Sequence, residues 1–165
     1  MKQSSILQGV AQKGSVLQVV STTKTDTFSA SVGAGAISGT VTGLTAVITP
    51  SSSSNKVLVR FAISLDCSTA GVFVILEKGG SPLGVGDASG SRKQATSAGS
   101  TSTTGTFAGE FEDSPATTSE LTYSFKLAHT SVNTQTVLVN RSIADGNAYT
   151  AGRFVSTITL MEVAG

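Results

Sequence analysis

The chain has 165 residues, a net charge of +1, 13% charged residues and a single cysteine. This length suits one domain, which can bury roughly 70% of the surface that its unfolded chain exposes. The lone cysteine excludes an internal disulfide, and the near-zero charge provides no long-range attraction for nucleic acid or an acidic membrane surface. Serine and threonine make up about 29% of the chain, yet apolar residues come in patterned runs, so we expect a folded domain.

Residues 1–14 lack the apolar core of a secretory signal, and no stretch approaches the length that spans a bilayer. We therefore expect the protein to be made in a cytoplasm and to have no membrane insertion. The apolar side chains that we regard as candidates for docking in this segment are Ile6, Leu7 and Val10. We interpret 1–14 as an arm that docks on a neighbouring subunit and 15–165 as the folded domain.

Apolar and polar residues alternate along most of the chain, which is typical of β-strands with one buried face. In chain order, the sequence predicts strands at 15–22, 44–49, 57–65, 72–78, 104–112, 121–127, 135–141 and 154–163. Turn residues such as Pro50, Gly79-Gly80, Pro115 and Asp145-Gly146-Asn147 separate them. No window shows a helical period with a capping box. About eight short strands with regular breaks predict an all-β antiparallel sandwich of the jelly-roll type.

Two segments, 29–40 and 88–103, do not have the pattern of strands. Loops of this length are usually functional or held by a partner, the alternative being a loop without a role. The second segment carries Arg92, Lys93 and Gln94, and a later loop at 142–152 carries Asp145, Asn147 and Tyr149. We regard these six residues as candidates for contact with a partner.

The sequence offers little catalytic chemistry. His129 is the only histidine, which excludes a multi-histidine metal site, and we expect it at the surface or capping a turn. Glu110 and Glu112 share one strand face, which we expect to be solvated, with Asp113 beside them. Cys67 is interpreted as a small, partly buried filler. We therefore predict a protein that is not an enzyme and holds no metal or cofactor.

Three further motifs are weak. The glycine-rich stretches 33–39 and 84–90 have the wrong spacing for a dinucleotide fingerprint, and neither opens a helix, so we predict turns. Asp145-Gly146-Asn147 lacks the ligand ladder of a calcium loop. Asn140-Arg141-Ser142 matches the glycosylation triplet, which we interpret as chance because no secretory signal precedes it.

Several stretches, taken together and in order, resemble a broad family of phage virion domains. They are SVLQVVSTTKT (15–25), VTGL (41–44) with ITPS (48–51) and NKVLV (55–59), GVGDASGSR (84–92), SPATT (114–118) and STITLME (156–162). Members occur on tail fibres and as free-standing particle proteins of phages of aquatic bacteria. The resemblance implies a jelly roll that assembles as a homotrimer, with no catalytic residues.

The chain departs from the fibre-borne members in lacking a long N-terminal shaft and in its glycine-alanine insert at 33–39. We therefore expect a capsid decoration (cement) protein on the virion surface, bound to the major capsid protein. The alternative is a tail-fibre or tail-tip knob that binds a host receptor or glycan, and a bacterial adhesion module is a third. The depletion of charge favours self-association over a monomeric sandwich.

Overall fold

The computed structural model describes residues 11–99 and 104–165, which form eleven strands and no helix. The strands are β1 (Val16–Lys24), β2 (Phe28–Val32), β3 (Ala46–Ile48), β4 (Lys56–Cys67), β5 (Val72–Lys78), β6 (Ser81–Pro82), β7 (Ser97–Gly99), β8 (Gly105–Asp113), β9 (Leu121–His129), β10 (Gln135–Val139) and β11 (Ser156–Val163). The predicted all-β class is confirmed.

The strands form two antiparallel sheets, as the sequence predicts. Sheet A has the order β1-β11-β4-β10-β2, with β8 also paired to β4. Sheet B has the order β3-β9-β5-β6, with β7 also paired to β5. One cluster of buried apolar side chains draws on both sheets, so the two sheets pack as a β-sandwich.

Three positions in the sheets are each occupied by two strands laid end to end. β10 and β11 pair with the same edge of β4, β10 at 65–67 and β11 at 56–62. β1 pairs with β11 and β2 pairs with β10, so β1 and β2 also lie end to end. β6 and β7 pair with the same edge of β5 in the same way. The eleven described strands therefore fill eight strand positions, which is the number that the turn spacing predicts.

The eight positions pair in a nested order along the chain. The first position (β1 and β2) pairs with the last (β11 and β10), and the second (β3) pairs with the seventh (β9). The third (β4) pairs with the sixth (β8), and the fourth (β5) pairs with the fifth (β6 and β7). Each pair joins positions that lie progressively closer in sequence, so the chain folds back on itself as one antiparallel ribbon.

The core arises from the alternation along the strands. In β4, Val57, Val59, Phe61, Ile63 and Leu65 all point into the sandwich and are buried, as the sequence predicts. The ring of Phe61 meets that of Phe125 from β9 at a centroid distance of 5.1 Å. Burying each such side chain contributes about 1.5–3 kcal/mol, so this face of β4 anchors the fold.

The chain enters and leaves the sandwich at one end, which we call the lower end and which is where β4 begins. Gly14 N donates to Ala164 O at 2.8 Å, and Ala164 N donates to Ser15 O at 2.9 Å. Gly14, the last residue of the predicted arm, is therefore fixed to the domain next to the end of β11.

Three strand predictions are corrected by the structure. The sequence predicts no strand in segment 29–40, but this segment includes most of β2. Phe28, Ala30 and Val32 alternate with serines there, and because the residues are mostly small the alternation is not evident in the sequence. Segment 88–103 contains the short strand β7. The last strand begins at Ser156 rather than at Phe154, because the residues before it close a loop.

Two further residues have environments that the sequence predicts only in part. His129 is buried at the end of β9, where it caps the following turn, which is one of the two alternatives that the sequence predicts for it. Its Nδ1 accepts a hydrogen bond from Ser131 N at 3.1 Å, and its Nε2 donates to Val32 O at 2.8 Å. Cys67 is fully rather than partly buried, because it ends the inward face of β4.

Candidate interaction surfaces

The two covering loops, 33–40 and 83–96, lie over the outer face of sheet B. Lys93 Nζ donates to Gly35 O at 2.6 Å and so joins the two loops. Ile75 and Ala128 point away from the core cluster, yet they are only 2% and 0% exposed. Ser38 N donates to Leu127 O on β9, and Thr96 N donates to Val74 O on β5, so the loops start from opposite edges of this sheet and the Lys93 bond joins them across its outer face. The described parts of both predicted loop segments therefore pack on their own domain.

The three candidate contact residues of the second covering loop bond within the chain. Arg92 Nη1 donates to the Ser89 hydroxyl at 3.0 Å, and Gln94 Nε2 donates to Gly86 O at 2.7 Å. With Lys93 held at Gly35, their polar ends fix the backbone of this loop. Their role toward a partner stays a prediction.

Gly84 attaches the same loop to the edge of sheet A. Its φ is +60°, and a Cβ at this position would lie 2.5 Å from the ring of Phe111 in β8. Both the left-handed backbone and the close ring favour glycine, because any other side chain would strain the turn or displace the ring.

A third loop, 140–155, connects the collinear strands β10 and β11 of sheet A, and we call it the neck loop. Asn140 closes its base with a φ of +61°, a conformation that asparagine tolerates better than most residues. Asn140 N donates to Ser64 O at 2.9 Å, and Asn140 Oδ1 accepts from Ser156 Oγ at 2.6 Å. Its Nδ2 donates to the carbonyls of Lys24 and Asp26 at 2.8 and 3.0 Å.

This geometry bears on the glycosylation triplet that begins at Asn140. The side chain is fully buried, and its amide is occupied by hydrogen bonds to the bend between β1 and β2. A glycan cannot be attached at a buried amide without opening the neck. The interpretation of this triplet as chance is therefore supported.

Charged groups brace the neck loop internally. Asp145 pairs with Arg141 at 3.1 Å and with Arg153 on the other side of the loop. Ile143 N donates to Oδ2 of the buried Asp66, at 2.8 Å. Of the candidate contact residues here, Asp145 is thus held within the loop, while Asn147 is exposed and Tyr149 is 100% exposed.

The two groups of candidate contact residues do not form one site. Arg92, Lys93 and Gln94 lie over sheet B, whereas the neck loop leaves sheet A. The predicted docking residues Ile6, Leu7 and Val10 lie outside the described residues.

The outer face of sheet A carries a feature that the sequence analysis did not identify. Two open depressions of about 570 and 660 Å³ adjoin there and share Ala62 and Thr157. Further lining residues are Arg60, Ala108, Glu110, Thr159 and Met161 in the first, and Ser64, Thr106, Phe154 and Val155 in the second. Small side chains at the centre of the sheet create this hollow. The available signal was the small outward residues Ala62 and Ser64 of β4 and the uncharged outward residues of β11.

The charged residues on this face neutralise one another. Arg60 Nε lies 2.9 Å from a Glu110 oxygen, and Lys56 Nζ lies 2.7 Å from a Glu112 oxygen. Both are cross-strand pairs between β4 and β8. The prediction that Glu110 and Glu112 share a solvated face is confirmed, and the face carries no net charge from these four residues.

Asp113, beside those glutamates in sequence, has a different environment because it is buried. Its Oδ2 accepts a hydrogen bond from Tyr123 Oη at 2.6 Å, and Lys78 Nζ lies 2.8 Å from the same oxygen. Burial, followed by the bond to Asp113, raises the pKa of Tyr123 far above its ordinary value. The group ties β5, β8 and β9 together and opens onto neither depression, which indicates a structural role.

Glu162 forms the second buried polar cluster, at the lower end, and is 1% exposed. Its Oε1 accepts from the Ser51 N–H and hydroxyl at 2.6 and 2.7 Å and from Asn55 Nδ2 at 2.6 Å. Its Oε2 accepts from Gln18 Nε2 at 2.6 Å. Burial acts to raise the pKa of Glu162, but these bonds, led by that from Asn55, outweigh it and lower the pKa to about 2.

Among residues 11–99 and 104–165, no three His, Cys, Asp or Glu side chains come together as metal ligands. Within the same ranges, no helix has the length and apolar character to cross a membrane. No protein-family model matches the chain, and no curated protein is similar to it.

Proposed function

We propose that the protein is a phage capsid decoration protein, a jelly roll that binds the outside of the head as a homotrimer. The observation that carries the proposal is the nested pairing of the eight strand positions. A chain folded back as one ribbon and divided between two sheets is the arrangement of a jelly roll, a fold common in viral capsid proteins. The resemblance of five ordered groups of residues to phage virion domains agrees with it.

Decoration requires binding rather than chemistry. A protein that binds only the assembled shell stabilises that shell by mass action. Repetition of one weak contact over a symmetric particle then adds up through effective concentration. Polar residues that could have formed a reactive centre, such as Asp113 and Glu162, instead make internal hydrogen bonds, which suits a binding role.

The proposal is tested by the copy number of this protein per purified virion, measured by quantitative mass spectrometry against the major capsid protein. Decoration of the head requires a number on the order of hundreds, near parity with the capsid protein. A few copies per particle would place the protein on the tail and reject the decoration role.

A receptor-binding knob is the second candidate, and Tyr149 favours it. A fully exposed tyrosine on a braced loop offers a large contact area at a low entropic cost. If the protein is a knob, Tyr149→Ala reduces the binding of purified protein to host cells at least tenfold. Val132→Ala, in the exposed loop after β9, is the matched control. Equal binding by wild type and Tyr149→Ala removes this candidate.

A further inference from the structure

The outer faces of the two sheets differ in what covers them. On sheet B, the covering loops bury the outward-facing Ile75 and Ala128. On sheet A, the neck loop reaches the upper half, where it binds the buried Asp66. The lower half stays open, and Val19 of β1 is 58% exposed there. Sheet A is therefore the sheet with an accessible outer face.

The open half is apolar at one edge and hydroxyl-rich beside it. The register aligns Val19 with Met161 of β11 and Leu58 of β4, so these three side chains form one row across the strands. The next row on the same face contains Ser21, Thr159 and Arg60. An apolar row of this kind in water favours burial against another surface.

The geometry points to this outer face of sheet A as the surface through which copies of the chain bind one another. The inference rests on the self-association in the proposed function and names the surface responsible for it. It assigns the contact to the Val19 row and to the hollow at Ala62 and Thr157, which Phe154 and Val155 of the neck loop border, and it leaves the covering loops outside the interface.

Charge identifies a second copy as the occupant. The Arg60–Glu110 and Lys56–Glu112 pairs neutralise the face, so neighbouring copies of it can pack around the threefold axis of a trimer without repulsion. Nucleic acid or an anionic membrane would require an excess of cations, which these pairs do not leave. An electrically neutral face with an exposed apolar row is typical of surfaces that bind a protein partner.

The area of the face also suits an interface between two copies of the chain. Neighbouring strands lie about 4.8 Å apart, and each residue extends a strand by about 3.3 Å. A face of four strands with eight residues each therefore has a flat area on the order of 500 Å². The relief of the side chains adds to this value. A stable interface takes about 800 Å² of accessible surface from each partner, so the contact has to use nearly the whole face.

The test compares the solution mass of full-length variants by sedimentation velocity. Val19→Lys places a charge in the apolar row, and Thr157→Arg fills the hollow. Val132→Lys is the matched control, because Val132 lies in the loop after β9 and is 85% exposed. We expect the wild type and Val132→Lys to be multimers, and both face variants to be folded monomers with at least tenfold weaker association. Circular dichroism establishes that each variant is folded.

Multimers that persist in both folded face variants overturn the inference, as does a monomeric wild type. These outcomes are separable from failure of the proposed function, which is decided by the copy number on virions. A wild-type multimer that both face variants disrupt supports the assigned surface even if the protein is absent from phage heads.

Discussion

Ser156 donates its hydroxyl hydrogen to Asn140 at 2.6 Å, and this bond joins the end of β10 to the start of β11 across sixteen residues of sequence. Asn140 also binds the carbonyl groups of the bend between β1 and β2. A single buried amide therefore fixes the two places at which paired strands of sheet A are interrupted.

Asn140→Ala should destabilise the domain by about 2–4 kcal/mol. The change removes the amide donor to the Lys24 and Asp26 carbonyls and the acceptor of the Ser156 hydroxyl hydrogen, and a buried group that loses its partner costs about 1–3 kcal/mol. For a domain of this size we expect a melting temperature roughly 5–15 °C lower, measured by calorimetry. Asn147→Ala, in the same loop but exposed, is the control. Equal melting temperatures for the two variants would contradict the role assigned to Asn140.

Glu162 should make stability fall at low pH. Its pKa is about 2 in the folded protein against an ordinary value of 4.5, so its contribution is fully present above pH 4.5 and is lost as the pH falls toward 2. Urea midpoints measured between pH 2 and 6 should decrease more steeply in the wild type than in Glu162→Gln. Glu110→Gln, on the exposed face, should follow the wild type. Parallel curves for Glu162→Gln and wild type would refute this explanation.

Tyr123→Phe should cost about 1–2 kcal/mol of unfolding free energy. The ring is retained, but Asp113 loses the 2.6 Å hydrogen bond and keeps only its lysine partner. The shift is measured by urea denaturation, with Tyr149→Phe as the matched control at an exposed tyrosine. A loss of stability in the control as large as in Tyr123→Phe would show that the hydroxyl bond is not the cause.

Gly84→Ala should destabilise the protein by about 1–3 kcal/mol, because it adds backbone strain at φ +60° and a clash with the Phe111 ring. Gly146→Ala is the control, since a Cβ there meets no atom within 4 Å. Thermal melting of both variants checks the prediction, and an unchanged melting temperature for Gly84→Ala would oppose it.

Deletion of residues 1–10 should separate docking from folding. Residues 11–14 remain, and with them the hydrogen bond from Gly14 to Ala164. We expect the shortened protein to have the melting temperature of the full chain but to bind phage heads at least tenfold more weakly, as measured by co-sedimentation. Undiminished binding would reject the predicted docking of Ile6, Leu7 and Val10.

The sequence predicted most of the core strands because their inward residues are large. In β4, alternation from Val57 to Leu65 is unmistakable, whereas β2 has the same period in small residues and was missed. Period-two patterns identify which residues share a face, but they do not reveal what covers that face. Ile75 is an outward residue on the face that the covering loops span, and neither loop has a periodic pattern, so its burial was not predictable.

The candidate surface was less predictable than the fold. Tyr149 and the covering-loop residues stand out in sequence because loops collect unusual residues. The hollow on sheet A depends instead on Ala62, Ala108 and Thr157, which come from three strands and are unremarkable singly. Only the register between β4, β8 and β11 brings them together.

The closed base of the neck loop makes this segment a natural site for displaying foreign peptides. Since Asn140 and Ser156 hold β10 and β11 in line, and Gly152 bonds to Ser142 across the base of the loop, we expect that residues 146–150 can be replaced without shifting the register of sheet A. A longer loop adds little closure entropy, because each doubling of length costs only about 0.6 kcal/mol. Epitopes inserted at 146–150 would thus be presented on a preformed scaffold, in as many copies as the protein assembles.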